Sequence, residues 1–233
     1  MALKDAAYDV DNAITREGRR GMSYENAFGG ILSFMRRNYS KDLVDVDIAI
    51  TGIPFDQAVT NRPGSRFGPR AIREASTLQP CDPPYGWDIN PLEDFDIVDY
   101  GDLAFDYANV AAFPEQLTDH IRGILKHECG ALSFGGDHYV TFPILRAFAE
   151  KFGPVALVHF DAHSDTWPDD DINRIDHGTM FYKAVKEGLI IPEKSVQIGI
   201  RTQNDYDAGV HVIDAPMVHR QTPDETAIQI KNI

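Results

Sequence analysis

Cysteine is scarce in this chain, and long apolar runs are absent from it. The two cysteines, Cys81 and Cys129, share no motif spacing and are too few for a disulfide framework, so a reducing compartment is expected. No stretch approaches the roughly 20 consecutive apolar residues of a transmembrane helix. The first residues, Met1 to Asp5, lack a basic segment followed by an apolar one, which argues against a secretory leader. We therefore expect a cytoplasmic protein that does not cross a membrane.

Basic residues are also few. Lys and Arg number 22 against 36 Asp and Glu, which gives a formal charge of −14. Binding to nucleic acid or to an anionic membrane needs a basic surface, so neither partner is expected. The acidity is compatible with a small cationic substrate, although solubility alone is the simpler explanation of it.

Strand-like and helix-like segments alternate along the chain, which predicts an α/β fold. Predicted strands cover residues 47–53, 95–99, 131–134, 155–160, 196–200 and 210–213, and predicted helices cover residues 69–75, 113–128, 143–152 and 178–189. The central strands are continuously apolar, as in a mostly parallel sheet covered by helices on both faces. The 233 residues fit one domain of three α/β/α layers, in which residues 1–45 form a helical, partly irregular lead-in.

The most informative segment is Asp161 to Asp165, which reads Asp-Ala-His-Ser-Asp and directly follows the apolar run 155–160. Side chains at alternate positions of an extended segment share one face, so Asp161, His163 and Asp165 are predicted to point at one spot. Carboxylate and imidazole ligands without cysteine favour Mn, Fe, Co or Zn.

A second polar cluster, Gly-Gly-Asp-His at residues 135–138, follows the apolar run 131–134. Ligands bind at the carboxyl ends of parallel strands, so both clusters are expected to form one site. A carboxylate such as Asp161 can bridge two metal ions, with His138 and Asp165 on one side and His163 on the other. Two-metal sites suit hydrolysis, because two cations together lower the pKa of a shared water.

These two clusters resemble the first two metal signatures of the ureohydrolases, the family of arginase, agmatinase and their relatives. The flanking segments 53–56, 62–73, 176–181 and 197–201 are similar to the agmatinase branch. The resemblance covers about residues 30–233. The paired motifs in this context are highly specific, whereas Gly-Gly-Asp-His alone is weak.

The resemblance implies an arginase/deacetylase-like fold and hydrolysis of a guanidino compound to urea and an amine. The expected substrate is agmatine, which gives putrescine for polyamine biosynthesis. Two Mn²⁺ ions per subunit are implied, and a homo-oligomer is expected because family members form trimers or hexamers. The small cationic guanidino substrate suits an acidic pocket, since a guanidinium keeps its charge.

Site residues follow from the resemblance position by position. His138 and Asp165 match ligands of one ion, His163 matches a ligand of the second, and Asp161 matches the bridging ligand, which also makes Asp161 part of the catalytic centre. His177 matches a family histidine near the substrate that assists proton transfer.

Other residues near the site have simpler alternatives. Asp137 is expected to support the ligands from behind. Trp167 is a candidate wall of the substrate pocket because it follows Asp165 closely, and an ordinary loop anchor is equally compatible. His159 lies within an apolar strand and is expected to be a packed core histidine. Residues 169–171, three aspartates in a row, are expected to form a solvated loop.

The sequence departs from the family pattern near its end. Thr222, Pro223 and Glu225 predict a helix start with a capping box, and no stop signal follows before Ile233. The family's third metal signature, Ser-Phe-Asp-x-Asp-x-x-Asp-Pro, and its later guanidinium-binding glutamate are not found. We therefore expect a sequence that is truncated at its C-terminus and incomplete in its metal ligands.

Three functions stay open at this point. The leading hypothesis is a Mn-dependent, agmatinase-like amidinohydrolase. The second is a guanidino-acid amidinohydrolase of the guanidinobutyrase or proclavaminate type, which would need a cationic group at the far end of its pocket. The third is a truncated, non-catalytic paralogue that acts as a binding or assembly partner.

We predict that the 233-residue chain binds Mn²⁺ weakly and turns over little or no substrate, because it offers three ligands for one ion and only two for the other. Urea release from agmatine by the purified chain is the measurement. A rate typical of enzymes, about 1–1,000 s⁻¹, would contradict the prediction.

Overall fold

Strands and helices alternate in the computed structural model, which describes residues 28–78 and 85–233. The strands are β1 (Ile48–Ile53), β2 (Ile97–Asp102), β3 (Gly130–Gly135), β4 (Val158–Phe160), β5 (Val196–Ile200) and β6 (His211–Asp214). The α-helices are α1 (Gly68–Ser76), α2 (Pro91–Asp94), α3 (Phe113–Leu125), α4 (Thr141–Phe152), α5 (Met180–Lys186), α6 (Ala215–Arg220) and α7 (Pro223–Lys231). Short 3₁₀ turns cover Phe34–Arg36, Ser65–Phe67, Val110–Ala112, His138–Val140, His177–Thr179 and Pro192–Lys194.

The described residues fall into two compact units. The first contains the described residues up to Gln57 together with Asn61–Asp106 and His120–Asp137. The second contains Ala58–Thr60, Tyr107–Asp119 and His138–Ile233. Each unit holds one three-stranded sheet.

The sheet of the first unit has the order β2-β1-β3, and both pairings are parallel. The central strand β1 is almost fully buried, which explains why its sequence is continuously apolar; Ala49, Ile50 and Ile53 are at most 1% exposed. Arg73 of α1 joins helix to sheet, since its Nε lies 2.7 Å from Asp99 Oδ2 on β2. Asp99 is fully buried, so loss of Arg73 would leave a buried carboxylate without its ion-pair partner, whereas Arg73 also pairs with Asp102 at 2.5 Å.

The sheet of the second unit has the order β4-β5-β6 and is also parallel. Its core consists of Val196, Ile198 and Ile213, and Met217, Val218, Ile230 and Ile233 pack against it. The last of its helices, α7, starts as predicted: Thr222 Oγ1 accepts from the Glu225 backbone N–H at 3.3 Å, and a Glu225 side-chain oxygen accepts from the Thr222 N–H at 2.8 Å. These reciprocal bonds satisfy two N–H groups at the helix start.

The α/β class with mostly parallel strands is confirmed, and several boundaries differ from the sequence prediction. Strand β4 starts at Val158 and not at residue 155, because Val155 makes only an isolated bridge with Ile190. The predicted helix 178–189 is a 3₁₀ turn followed by the shorter α5. Residues 28–45 of the lead-in contain one 3₁₀ turn and are otherwise irregular apart from a bridge at Tyr39, while residues 1–27 lie outside the described residues. The assignment of residues 1–233 to a single domain stays a prediction.

No helix within the described residues combines the length and the apolar character that a membrane span requires. Cys129 is buried and its Sγ donates to Ile124 O at 3.4 Å, and Cys81 lies outside the described residues.

Gly136, the second glycine of the Gly-Gly-Asp-His cluster, is required by a close backbone approach. A Cβ atom at this position would lie 2.2 Å from the carbonyl oxygen of Phe55 and 2.6 Å from that of Ile53. The next residue, Asp137, donates its backbone N–H to the same Phe55 oxygen at 2.7 Å. The glycine therefore lets the chain that leaves β3 lie directly against the chain that leaves β1.

We predict that Gly136→Ala lowers the free energy of unfolding by about 1–3 kcal/mol, because the added methyl overlaps rigid backbone atoms. Chemical denaturation measures the change. The matched control is Gly123→Ala in α3, where a Cβ meets nothing within 4 Å and the helix gains about 0.5–1 kcal/mol. Equal effects of the two substitutions would show that the close approach does not constrain residue 136.

Candidate metal centre

The residues that the sequence analysis assigns to the metals lie in the second unit. His138 opens the 3₁₀ turn that leads into α4, and Asp161 is the first residue after β4. Backbone pairing continues beyond the end of that strand: the Asp161 N–H donates to Ile198 O at 3.1 Å, and the Arg201 N–H donates to Ala162 O at 3.0 Å. This pairing holds the Asp-Ala-His-Ser-Asp segment beside the end of β5.

His138 lies between two carboxylates. Its Nδ1 is 2.8 Å from Asp165 Oδ2 and 3.5 Å from Asp161 Oδ2. The three side chains predicted to hold one ion are therefore brought together, although His138 comes from a different element than the two aspartates.

Each carboxylate oxygen of Asp161 faces a different imidazole. Oδ2 faces His138, whereas Oδ1 lies 3.4 Å from His163 Nδ1 and accepts the His163 backbone N–H at 2.9 Å. Burial by itself would raise the pKa of Asp161, but the His163 N–H and the imidazoles of His138 and His159 together lower it. The carboxylate is therefore held in its anionic form with its two oxygens turned to opposite sides, as a bridging ligand requires.

The prediction that Asp161, His163 and Asp165 share one face of an extended segment is wrong in part. The strand ends at Phe160, and Asp165 has a φ of +50°, in the left-handed region, so residues 161–165 are not one extended face. Asp165 reaches His138 through a turn instead. The turn is held by the Phe181 N–H, which donates to Asp165 O at 3.0 Å.

Hydrogen bonds among hydroxyl and amide side chains hold residues 164–166 in place. Asn204 Nδ2 donates to Ser164 Oγ at 3.1 Å and to Thr166 Oγ1 at 2.9 Å. Thr166 is fully buried and donates to Tyr206 O at 2.7 Å. Ser164 and Thr166, whose positions in sequence flank Asp165, are thus fixed to the loop that follows β5.

His159 is the site residue that the sequence analysis missed. It is buried as expected for a core histidine, but its Nε2 lies 3.4 Å from Asp161 Oδ2. His138, His159 and Asp161 each offer one potential ligand atom, and these atoms lie within 4.8 Å of one another. Burial chiefly, with the neighbouring His138, lowers the pKa of His159, so its ring is neutral. The sequence feature that could have indicated this role is the presence of His159 within the otherwise apolar run 155–160.

A cavity of about 450 Å³ opens over this cluster. Its lining includes six residues singled out from the sequence, namely His138, Asp161, His163, Asp165, Trp167 and His177, together with Thr60, Ser164, Asp176, Gly178, Thr202 and Asn204. Trp167 is half exposed, which suits a wall of the cavity. Asp176 was not predicted to be part of the site.

The tautomer of His177 follows from its hydrogen bond. Its Nδ1 lies 2.6 Å from the carbonyl oxygen of Ala58, and a carbonyl oxygen can only accept, so Nδ1 carries the proton. In the neutral ring Nε2 is then the basic nitrogen. The Asp176 side chain caps the 3₁₀ turn of His177 by accepting the Gly178 N–H at 2.8 Å.

The expected solvated loop at residues 169–171 is in fact anchored at its first aspartate. Asp169 Oδ2 lies 3.0 Å from the Nζ atom of Lys183, which is fully buried and also donates to Arg174 O at 2.8 Å. Asp170 matches the expectation better: it is exposed and pairs with Lys186 at 2.6 Å. The buried lysine fixes the loop between Trp167 and His177.

Asp137 belongs to the first unit, where it is buried and its backbone N–H bonds to Phe55 O. Its predicted role behind the ligands stays a prediction.

The donor set fits a divalent transition metal. Imidazole nitrogens and ionised carboxylates without thiolate are the ligands of Mn, Fe, Co and Zn sites. Such groups meet at Asp161, whose oxygens lie 3.5 Å from His138 Nδ1 and 3.4 Å from His163 Nδ1. A bound cation balances the charge of carboxylates that cluster around imidazoles in this way.

A parallel α/β scaffold with His and Asp side chains gathered where the strands end defines a metal-binding α/β protein. The chain belongs to the arginase family, whose family model matches residues 46–233.

Individual relatives agree with this family. The chain is 55% identical over 230 residues to an agmatinase from Chromobacterium violaceum, covering 98% of this chain and 71% of the relative. A solved structure described as a hypothetical agmatinase from Burkholderia thailandensis superimposes with a TM-score of 0.91 at 47% identity, covering 96% of this chain and 70% of that one. The proclavaminate amidinohydrolase of Streptomyces clavuligerus gives a TM-score of 0.82 at 35% identity, covering 89% and 71%. The arginase-like form of the predicted fold is thereby confirmed.

We predict that Asp165→Asn weakens Mn²⁺ binding at least tenfold, because it removes a charged oxygen that faces His138. Isothermal titration with MnCl₂ measures the affinity. Asp205→Asn is the control, since Asp205 is an exposed loop carboxylate outside the cavity lining. Equal affinities of the two variants would remove Asp165 from the ligand set.

Proposed function

We propose that this chain is an agmatinase-type amidinohydrolase, which hydrolyses agmatine to putrescine and urea with two Mn²⁺ ions per subunit. The observation that carries the proposal is the cavity in which His138, Asp161, His163, Asp165 and His177 meet. The agmatinase names of the similar proteins, at up to 55% identity among those given above, support the choice of substrate.

The charge of the cavity favours a substrate that is cationic at both ends. Agmatine carries a guanidinium and a primary ammonium group. Among the described residues that line the cavity, three are carboxylates, Asp161, Asp165 and Asp176, and none is Lys or Arg. Asp161 and Asp165 would be neutralised by the metal ions that they hold, so Asp176 is the carboxylate of this lining that is left to meet a substrate cation. A carboxylate at the far end of the substrate finds no basic side chain there.

Metal ions would be held by residues already described. His138 and Asp165 would hold one ion, His163 would hold the other, and Asp161 would serve both. When bound, the ions would supply Lewis acidity, which lowers the pKa of water.

The remaining chemistry is proton transfer. Hydrolysis breaks the bond between the guanidinium carbon and the alkyl nitrogen, adds the oxygen of water to the carbon, and delivers a proton to the departing amine. His177 Nε2 suits this transfer, because its Nδ1 proton is committed to Ala58 O and its other nitrogen belongs to the cavity lining. The half-exposed indole of Trp167 would cover the aliphatic part of the substrate.

A guanidino-acid substrate is the second candidate, and the similarity to a proclavaminate amidinohydrolase favours it. The acidic cavity lining argues against it. A non-catalytic paralogue is the third candidate and would bind agmatine without releasing urea. Homo-oligomer formation, a cytoplasmic location and the absence of nucleic-acid and membrane partners stay predictions from the sequence.

We predict that the Mn²⁺-loaded chain binds agmatine at least 30-fold more tightly than 4-guanidinobutyrate; about 2 kcal/mol separates them at that ratio. The reason is that Asp176, which is not assigned to a metal, can meet the ammonium group of agmatine, whereas the carboxylate of 4-guanidinobutyrate meets no Lys or Arg among the described residues of the lining. Isothermal titration measures binding, and urea release at high enzyme concentration is assayed alongside. Preference for the guanidino acid would favour the second candidate. Agmatine binding with no urea at all would favour the third.

We predict that, at the high enzyme concentration at which residual urea release by the Mn²⁺-loaded chain is assayed, His177→Asn lowers that residual rate about 10²–10⁴-fold with little change in agmatine affinity. The Asn amide retains a donor for Ala58 O but has no basic nitrogen, so the turn is kept and the proton carrier is lost. His211→Asn is the control, because His211 is exposed and outside the cavity. An unchanged rate in His177→Asn would exclude a proton-transfer role.

A further inference from the structure

His159 and Gln197 form a buried polar pair inside the sheet of the second unit. They are direct partners in the register of β4 and β5, and they are 6% and 0% exposed. Gln197 Nε2 lies 3.2 Å from His159 Nδ1. Burying a polar side chain in an otherwise apolar strand costs free energy unless the side chain is hydrogen-bonded, so the partners of His159 and Gln197 matter.

The orientation of the Gln197 amide is fixed by Ser164. The Gln197 atom that lies 2.7 Å from Ser164 O must be the amino nitrogen, since the backbone carbonyl can only accept. The same nitrogen faces His159 Nδ1, so that ring atom accepts a hydrogen bond and carries no proton. In a neutral imidazole the proton then sits on Nε2.

The protonated Nε2 of His159 points at the metal centre. It lies 3.4 Å from Asp161 Oδ2, the oxygen that also faces His138, at the outer limit of a hydrogen bond, and it makes no closer hydrogen bond within the described residues. The ring is held in this position by Phe181, which is 1% exposed, with the two ring centroids 4.7 Å apart.

We propose that His159 is a positioning residue that donates its Nε2–H to Asp161 Oδ2, and that Gln197 excludes it from the metal ligands by fixing its tautomer. The inference rests on the proposed function in one respect, namely that Asp161 holds the metal. To ligate a metal through Nε2, His159 would have to move its proton to Nδ1, where it would meet the N–H of Gln197. Hydrogen bonds of this kind to ligating carboxylates change metal affinity by about 10–100-fold.

The tautomer is tested first, in the metal-free chain, by long-range ¹H–¹⁵N NMR of protein labelled with ¹⁵N-histidine. His159→Phe identifies the resonance by its loss. The expected result is a neutral ring protonated at Nε2. A ring protonated at Nδ1 would overturn the proposal, and this readout does not depend on metal binding or on activity.

The role is tested by comparing His159→Phe with His159→Gln. Phe keeps an aromatic ring but has no N–H, whereas the Gln amide restores a donor at the position of Nε2. We expect Mn²⁺ affinity to fall about 10–100-fold in the first and to recover to within about threefold in the second. Pulsed EPR of bound Mn²⁺ should show the same number of coordinated histidine nitrogens in His159→Phe as in the unsubstituted chain.

The loss of one coordinated nitrogen in His159→Phe would make His159 a ligand and overturn the proposal, as would unchanged affinity in His159→Phe. His120→Phe is the control, because His120 is a largely buried histidine of the first unit that bonds to Thr51 and lies outside the centre. Thermal unfolding of each variant verifies folding. If the unsubstituted chain binds no Mn²⁺, the proposed function fails. The NMR experiment still determines which ring nitrogen of His159 carries the proton.

Discussion

The candidate centre depends on the backbone pairing that continues past the end of β4. Two hydrogen bonds, from Asp161 N–H to Ile198 O and from Arg201 N–H to Ala162 O, hold the residues after the strand beside β5. Asp161 is thereby fixed where each of its oxygens meets a different imidazole. Without this pairing the carboxylate would sit on a loop and would have to be ordered at the cost of conformational entropy when a metal binds.

Buried polar contacts then specify the surroundings of Asp161. Gln197 bonds both Ser164 O and His159, Asn204 bonds the hydroxyls of Ser164 and Thr166, and the buried Lys183 anchors the loop before His177. These hydrogen bonds restrict the rotamers of the supporting side chains, and rigid supporting groups hold ligands to within about 0.5 Å of their working positions. The acidic lining of the cavity adds attraction for cations to this rigid geometry.

Much of the fold was predictable because its signals are local. Apolar runs give β1, β3 and β5, and the Thr222–Glu225 capping box gives the start of α7. The meeting of His138 with Asp161 and Asp165 was expected from the rule that the parallel strands of one sheet gather ligands at their carboxyl ends. Strands β3 and β4 belong to different sheets, however, so that rule alone does not account for the contact. What the sequence could not give is the left-handed turn at Asp165, the site contact of His159 and the burial of Lys183, since each depends on contacts between distant residues. The requirement for glycine at position 136 also depends on distant residues, because the carbonyl oxygens of Ile53 and Phe55 leave no room for a Cβ atom there.

The central claim is that Asp161 joins the two halves of one metal centre. Its most direct test is a Mn²⁺ titration of Asp161→Asn, followed by EPR with the unsubstituted chain as reference. Because both oxygens of Asp161 face an imidazole, the account predicts that this one substitution removes binding of every ion that the reference chain holds. If Asp161→Asn retained Mn²⁺ at the affinity of the unsubstituted chain, this prediction would be contradicted and the metal ligands would lie elsewhere.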